Sequence, residues 1–201
     1  MPTALHLIHP YVFKRRKDGK LETNKKFVQR DRQVSELVQT ALNSDGMVIH
    51  HMDTPADSKL GEYRDNAFRI DPLYSFLFSG KLIEVVTTEW GVPITDEKPK
   101  GTPQATWALY EATNIKHSEL LRKMEGIDLH LLIGGALENC LGNMASYILD
   151  YYYFPPSAVK YIPNLCVSVD MNARRNRERE LQQKGIEAIT YERAVDILTT
   201  K

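Results

Sequence analysis

Residues 130–149, HLLIGGALENCLGNMASYIL, decide the fold, because they join a buried strand to an apolar helix through a glycine-containing turn. The run 129–133 is short and mostly apolar, which is typical of a central strand covered on both faces. After the glycines at 134 and 135, apolar residues recur at helical spacing from 141 to 149. We therefore expect Cys140 at the start of a helix that follows a core strand.

Cys140 has two possible roles at this position. The unpaired N–H groups and the positive dipole end at a helix start favour a thiolate over a thiol, and the thiolate is the nucleophile. A free cysteine is also often a small buried residue without reactivity. The local sequence leaves both roles open, so the rest of the chain has to decide between them.

The composition favours a single domain, residues 1–201, and its balanced charge gives no reason to expect a highly charged binding partner. The chain has 26 basic and 26 acidic residues, so no net field recruits nucleic acid or an anionic membrane. Its two cysteines form no disulfide framework, and no apolar run reaches the roughly 20 residues that span a bilayer. The N-terminus does not resemble a signal peptide. We expect a cytoplasmic protein.

Strands and helices alternate along the chain. The apolar run 4–8 predicts a first strand that ends at His9 and Pro10, and a helical stripe at 34–42 leads into a second strand at 47–53. Further strands are predicted at 165–169 and 187–190, with helices at 173–184 and 191–198 after them. This order predicts a doubly wound, three-layer α/β/α sandwich with a mostly parallel sheet. The candidate residues map to the carboxyl edge of that sheet; they are His9, His51, Asp53 and Cys140.

Three other segments have patterns that do not by themselves indicate a function. The basic segment 14–26 is expected to be a solvated loop, with phosphate or nucleic-acid binding as the weaker alternative. The aromatic run 151–154 is expected to supply core and subunit contacts rather than a base-stacking surface. The arginine-rich helix at 173–184 also contains glutamates, which indicates a solvated face.

With these elements placed, residues 126–140, GIDLHLLIGGALENC, resemble the isochorismatase-like cysteine hydrolases, the group that includes nicotinamidases. The resemblance lies in a helix end, a buried strand, a glycine, and a cysteine six residues after that glycine. It continues through Val167-Ser168-Val169-Asp170 and the final strand at 185–190. About the last 80 residues match in order and spacing, and the earlier part matches in outline.

The resemblance implies hydrolysis of an amide by Cys140. An aspartate at the end of the first strand acts as the base in that family, and a lysine after the third strand stabilises charge. A cis peptide bond, here expected at Gly135-Ala136, turns a backbone N–H group into part of an oxyanion hole. The N–H of Cys140 is expected to be the second donor.

This sequence departs from the pattern at the base, where His9 occupies the position of the aspartate. Histidine suits the work of a base, since its ordinary pKa is about 6.5. Lys98 and Lys100 are the candidates for the lysine, and Lys98 is preferred. Asp53 occupies the position of a metal-binding aspartate, but no pair of histidines follows it, so we expect His51 and Asp53 to line a pocket without a metal.

We therefore predict a cysteine hydrolase of a small amide-like substrate that needs no cofactor and assembles as a homo-oligomer. The alternative is a catalytically degenerate family member that serves as a binding or oligomeric scaffold. A membrane partner is not expected. Nucleic-acid binding is the third possibility, and it is weaker than the hydrolase and the scaffold.

Overall fold

The computed structural model describes residues 2–9, 13–15, 21–23, 25–44, 46–52, 82–87, 104, 111 and 116–200. A π-helical turn, Leu137–Leu141, lies within this part of the chain. The strands and longer helices are, in order, β1 (Thr3–Ile8), β2 (Phe13–Arg15), β3 (Leu21–Thr23), α1 (Val28–Asn43), β4 (Met47–Met52), β5 (Leu82–Val86), α2 (His117–Met124), β6 (Leu129–Gly134), α3 (Gly142–Tyr151), β7 (Val159–Cys166), α4 (Met171–Gln183), β8 (Glu187–Ala188) and α5 (Tyr191–Thr199).

Six strands form one parallel sheet in the order β5-β4-β1-β6-β7-β8. The two central strands, β1 and β6, are buried along their whole length, as expected for strands covered on both faces. Leu5 and Leu7 face the layer that contains α1 and α5, whereas Ala4 and Ile8 face the layer that contains α2 and α3. The predicted α/β sandwich with a parallel sheet is confirmed.

The strand predicted at 165–169 is wrong in position, because β7 spans Val159–Cys166. Pro163 and Asn164 interrupt the apolar run within this strand, and such residues are depleted in strands, so the sequence pattern concealed its first half. Asp170, predicted as a strand end, instead caps α4. Its side chain accepts hydrogen bonds from two backbone N–H groups of the first turn of that helix.

The basic segment predicted as a loop contains two short strands. β2 and β3 pair antiparallel there, with Phe13 opposite Thr23. Residues 16–20, including the turn dipeptide Asp18 and Gly19, lie outside the described residues, as does the long connection 53–81. None of the helices in the part of the chain that the structure describes has both the length and the apolar character needed to cross a membrane.

A tight approach between β1 and β6 generates the first prediction. Gly134 has a φ of +114°, and a Cβ atom placed there would lie 1.9 Å from the carbonyl oxygen of Ile8. We expect Gly134→Ala to lower the free energy of unfolding by about 3 kcal/mol or more, because it adds both backbone strain and an atomic overlap. Chemical denaturation of the purified variant measures this loss.

The control is Gly126→Ala, since a Cβ atom on Gly126 would meet nothing within 4 Å. That variant should stay within about 0.5 kcal/mol of the parent. Equal stabilities of the two alanine variants would show that the Ile8–Gly134 approach does not constrain the fold.

Candidate functional site

The carboxyl ends of the central strands meet at one edge of the sheet. Ile8, the last residue of β1, pairs with Gly134 on β6 and with His51 on β4. His9 therefore leaves β1 beside the point where Gly135 leaves β6. In parallel α/β sheets, ligand sites lie beyond this edge, so these residues mark the candidate site.

His9 is held at this edge by bonds to two neighbouring strands. Its backbone N–H donates to the carbonyl of His51 at 3.3 Å, and its Nε2 atom lies 2.9 Å from the hydroxyl oxygen of Thr87, the buried residue that follows β5. Its φ is +42°, a left-handed conformation that is uncommon for a residue with a side chain. The imidazole ring is thus fixed by contacts that span β1, β4 and β5.

The cysteine lies in a tight turn between β6 and α3. The Gly135–Ala136 peptide bond is cis, which is the bond that the family resemblance named. The π-helical turn follows at once, and its fourth residue is Cys140, which is half-buried and packs against the core below α3. Single π-helical turns of this kind are frequent at functional sites.

Backbone hydrogen bonds fasten this turn to both neighbouring strands. The N–H of Gly135 donates to the carbonyl of Ile8 at 2.8 Å, and the N–H of Leu137 donates to the carbonyl of Val167 at 2.9 Å. In return, the N–H of Val167 donates to the carbonyl of Gly134 at 2.8 Å. The turn is therefore fixed between the end of β1 and the loop after β7.

Glu138 ties the same two loops together through its side chain. Its carboxylate accepts hydrogen bonds from the backbone N–H groups of Val169 at 2.6 Å and Asp170 at 3.0 Å. Burial on its own raises the pKa of this carboxyl group. The backbone N–H groups of Asp170, Glu138 and Val169 and the hydroxyl of Ser168 outweigh burial, and the pKa is lowered from its ordinary value. The carboxylate form therefore stabilises the native loop.

Helix α4 supports the cysteine turn from outside. Arg177 donates from Nε to the carbonyl of Glu138 at 3.1 Å, and it packs so closely on Gly142 that a Cβ atom there would lie 2.6 Å from its Cδ atom. Arg174 donates to the carbonyl of Pro163 at 3.1 Å. The prediction of a wholly solvated arginine-rich face is therefore wrong for these two side chains, which fold back onto the protein.

Three buried histidines form a hydrogen-bonded row across the sheet on the face that also carries α3. His6 Nδ1 lies 3.0 Å from His51 Nε2, and His6 Nε2 lies 3.0 Å from His130 Nδ1. All three side chains are at most 1% exposed. His51 is the end of this row nearest to His9, and its predicted role in lining a pocket stays a prediction.

Burial keeps the rings near His9 neutral at ordinary pH. It lowers the pKa of His51 well below the usual value, with positive charge on His9 and His50 as further causes. It also lowers the pKa of His50 to about 4, and charge on His9 contributes again. For His130, burial alone brings the pKa to about 4.

Several predicted residues have no described position. Asp53, Lys98 and Lys100 lie outside the described residues, so their predicted roles remain predictions. Within the described ranges, no group of three or more His, Cys, Asp or Glu side chains is arranged to hold a metal ion.

Sequence reasoning missed four contributors to the site region, namely His6, Thr87, His130 and Glu138. A signal for the first and third was available, because a histidine inside an apolar strand has to find a polar partner when it is buried. Nothing in the local sequence identified Thr87 or Glu138. Their partners are distant in the chain and become neighbours only after the sheet has formed.

The chain was compared with known proteins. No protein-family model and no curated protein sequence matches it. Solved structures do match, among them a nicotinamidase/pyrazinamidase from Bacillus subtilis at 16% identity and a TM-score of 0.61, covering 94% of this chain and 100% of that one.

Two further structures cover almost the whole chain. An isochorismatase-like hydrolase from Alkaliphilus metalliredigens is 16% identical, has a TM-score of 0.51, and covers 98% of this chain and 99% of its own. A protein from Leishmania donovani, named as a proposed Mar1 ribonuclease, is 11% identical, has a TM-score of 0.56, and covers 99% of this chain and 83% of its own. This chain therefore has the α/β fold of isochorismatase-like hydrolases.

Glu138 provides a prediction about stability. Glu138→Gln should lower the free energy of unfolding at neutral pH by about 1–3 kcal/mol, because the variant loses the charged acceptor of two backbone N–H groups. The folded-state pKa of this carboxyl is lowered, so its contribution is complete above the unfolded-state pKa. It is lost as the pH falls through the folded-state pKa. Denaturation curves recorded between neutral and acidic pH measure both effects.

The difference in the free energy of unfolding between the parent and Glu138→Gln should therefore become smaller as the pH is lowered. Glu125→Gln, which alters an exposed carboxylate after α2, is the control and should change stability little at neutral pH. A gap that persists unchanged at low pH would contradict a role for the ionised carboxylate.

Proposed function

We propose that this chain is a cysteine hydrolase that cleaves the C–N bond of a small amide-like substrate. The observation that carries the proposal is the position of Cys140 in the tight turn that follows β6, beside the strand end that bears His9. The fold supports the same proposal, because neighbours with this fold carry the names of amide hydrolases.

In the proposed reaction, the Cys140 sulfur attacks the amide carbonyl carbon. His9 accepts the thiol proton and passes it to the leaving nitrogen as the C–N bond breaks, which yields an amine and a thioester on Cys140. Water then attacks the thioester, releases the acid and restores the thiol. These steps need no redox partner.

Three N–H groups of the turn already have partners within the protein. Among residues 136–140, the N–H of Leu137 is committed to Val167, and the N–H of Asn139 to Ala136. The N–H of Glu138 supports its own carboxylate. We propose that the oxyanion is bound by the N–H groups of Ala136 and Cys140, which is the pair that the family resemblance implies.

Thr87 is proposed to set the tautomer of His9. If His9 Nε2–H donates to the Thr87 hydroxyl oxygen, Nδ1 carries the lone pair and becomes the basic nitrogen. A hydroxyl can accept this bond and still donate to another group. The bond thus gives His9 the form that a general base requires.

The remaining assignments complete the proposal. Lys98, or else Lys100, stabilises the developing charge, and Asp53 lines the pocket without a metal. The active form is a homo-oligomer in the cytoplasm, and the substrate is a small molecule. A nucleic-acid substrate is the least favoured partner, although the name of one structural neighbour makes short RNA a necessary member of the test panel.

The second candidate function is a scaffold that has lost catalysis. It is favoured by the exposed aromatic side chains at the end of α3 and just after it, since Tyr151 is 64% and Tyr153 is 86% exposed. In that case Cys140 is a relic and the tyrosines contact another subunit. The two candidates differ in the chemistry expected of Cys140.

Cys140 is the first test of the proposed function. The parent protein should hydrolyse at least one member of a panel of small amides that includes nicotinamide and pyrazinamide, and Cys140→Ala should reduce turnover at least 10³-fold, roughly, because the nucleophile is gone. Product formation measured by chromatography reports the rate. Equal turnover by the parent and Cys140→Ala would refute the nucleophile.

The chain contains a matched thiol control. Cys166 is fully buried, donates to the carbonyl of Ile162, and has a pKa that burial raises to about 12. Iodoacetamide near neutral pH should therefore modify Cys140 quickly and leave Cys166 intact, as mass spectrometry of the digested protein will show. Slow modification of Cys140, at the rate of Cys166, would favour the scaffold.

His9 is the second test. His9→Ala should reduce kcat by about 10² to 10⁴-fold, the usual contribution of a general base, whereas His9→Asp restores the residue that the family resemblance implies and should retain more activity than His9→Ala. Steady-state kinetics on the best substrate of the panel gives the comparison. Identical losses for the two variants would argue against a base at position 9.

A further inference from the structure

The histidine row has a property that follows from counting its protons. Three neutral imidazoles carry three N–H hydrogens on six ring nitrogens. Each of the two hydrogen bonds, His6 to His51 and His6 to His130, needs one hydrogen between its nitrogens. One hydrogen is therefore left for the two outer nitrogens, His51 Nδ1 and His130 Nε2.

Only two arrangements satisfy this count. If His51 carries its hydrogen on Nδ1, its Nε2 accepts from His6 Nδ1–H, and His6 Nε2 accepts from His130 Nδ1–H. If instead His130 carries its hydrogen on Nε2, then His6 and His51 carry theirs on Nε2 as well. The three rings must therefore share one tautomer, and the two ends of the row are always one donor and one acceptor.

Both outer nitrogens are buried without a hydrogen-bond partner among the described groups. The surroundings at the His130 end favour a donor there. The ring of Phe154 lies with its centroid 4.2 Å from that of His130 and is tilted by 56° to it, and an aromatic ring is a weak acceptor for an N–H group. With the hydrogen on His130 Nε2, the lone pair is on His51 Nδ1.

We propose that His6, His51 and His130 form a hydrogen-bond relay in which all three rings carry the Nε2–H tautomer, so that His51 presents a lone pair at the end of β4 beside His9. His6 and His130 are positioning residues that act through His51. The lone pair is an acceptor for an N–H or O–H group of a molecule bound at this edge of the sheet. The meaning of that acceptor for turnover rests on the proposed function, but the shared tautomer does not.

Because the two hydrogen bonds of the row can only reverse together, the protonation of its two outer nitrogens is coupled. Placing a hydrogen on His51 Nδ1 without adding charge requires that both internal bonds reverse and that His130 Nε2 lose its hydrogen. A bound group that donates a hydrogen bond to His51 Nδ1 therefore stabilises the Nε2–H tautomer of all three rings. A bound group that needs a donor at this nitrogen destabilises that tautomer. The row thus selects molecules by the direction of one hydrogen bond.

Nitrogen NMR of the full chain labelled with ¹⁵N-histidine tests the relay without any substrate. Two-bond ¹H–¹⁵N spectra near neutral pH should show His6, His51 and His130 as neutral rings with the hydrogen on Nε2. Any mixture of tautomers among the three, or the Nδ1–H form in all of them, would overturn the proposal. Because no turnover is measured, failure here is distinct from failure of the hydrolase proposal.

A matched pair of variants tests the coupling. His130→Phe removes the acceptor for His6 Nε2–H, so His6 and His51 should lose the uniform Nε2–H pattern. His117→Phe removes a histidine that instead bonds the hydroxyl of Tyr152, and it should leave the pattern of the row unchanged. An unchanged His51 spectrum in His130→Phe would overturn the coupling, and if that variant does not fold, the spectrum of the parent still decides.

Discussion

The whole site depends on how closely β1 and β6 approach at their carboxyl ends. The carbonyl oxygen of Ile8 occupies the space in which a side chain on Gly134 would have to begin, and the same oxygen accepts the N–H of Gly135. On its other side, Gly135 leaves room for Val167, whose Cγ2 atom would lie 2.1 Å from an added Cβ. Two consecutive glycines therefore let three segments converge where a larger residue would separate them.

This convergence explains why the cysteine turn can be both tight and well supported. A π-helical turn leaves the regular backbone pattern, so some of its polar groups need partners outside it. Val167 supplies a backbone partner, and Glu138 reaches across to Val169 and Asp170. Glu138 thus links the turn that carries Cys140 to the loop after β7.

Local patterns were enough to predict the core strands and the edge of the sheet at which His9 and Cys140 lie. The apolar runs that became β1 and β6 are short and uninterrupted, and the glycines after β6 end it sharply, so His9 and Cys140 could be placed from sequence. The predicted position of β7 was wrong because Pro163 interrupts the apolar pattern of this strand. The strand forms nevertheless, since it pairs with its neighbours β6 and β8. Tertiary context outweighs propensity in such a strand.

The polar partners could not be predicted, because each depends on residues far apart in the chain. His6 forms side-chain hydrogen bonds with His51 and His130, which are 45 and 124 positions away in the chain. His9 forms one with Thr87, which is 78 positions away. Only the register of the folded sheet brings these pairs together. A sequence window that recognises a strand contains one member of each pair and no information about the other.

Stability alone does not account for the histidine row. Apolar side chains at these strand positions would fill the core without polar atoms, whereas the row leaves a buried nitrogen without a partner at each end. An orphaned buried polar atom costs about 1–3 kcal/mol. Two such atoms together cost about 2–6 kcal/mol, and the two internal hydrogen bonds, each contributing about 1 kcal/mol net, offset roughly the lower end of that range. Stability therefore gives no reason to prefer three histidines to apolar side chains at these strand positions.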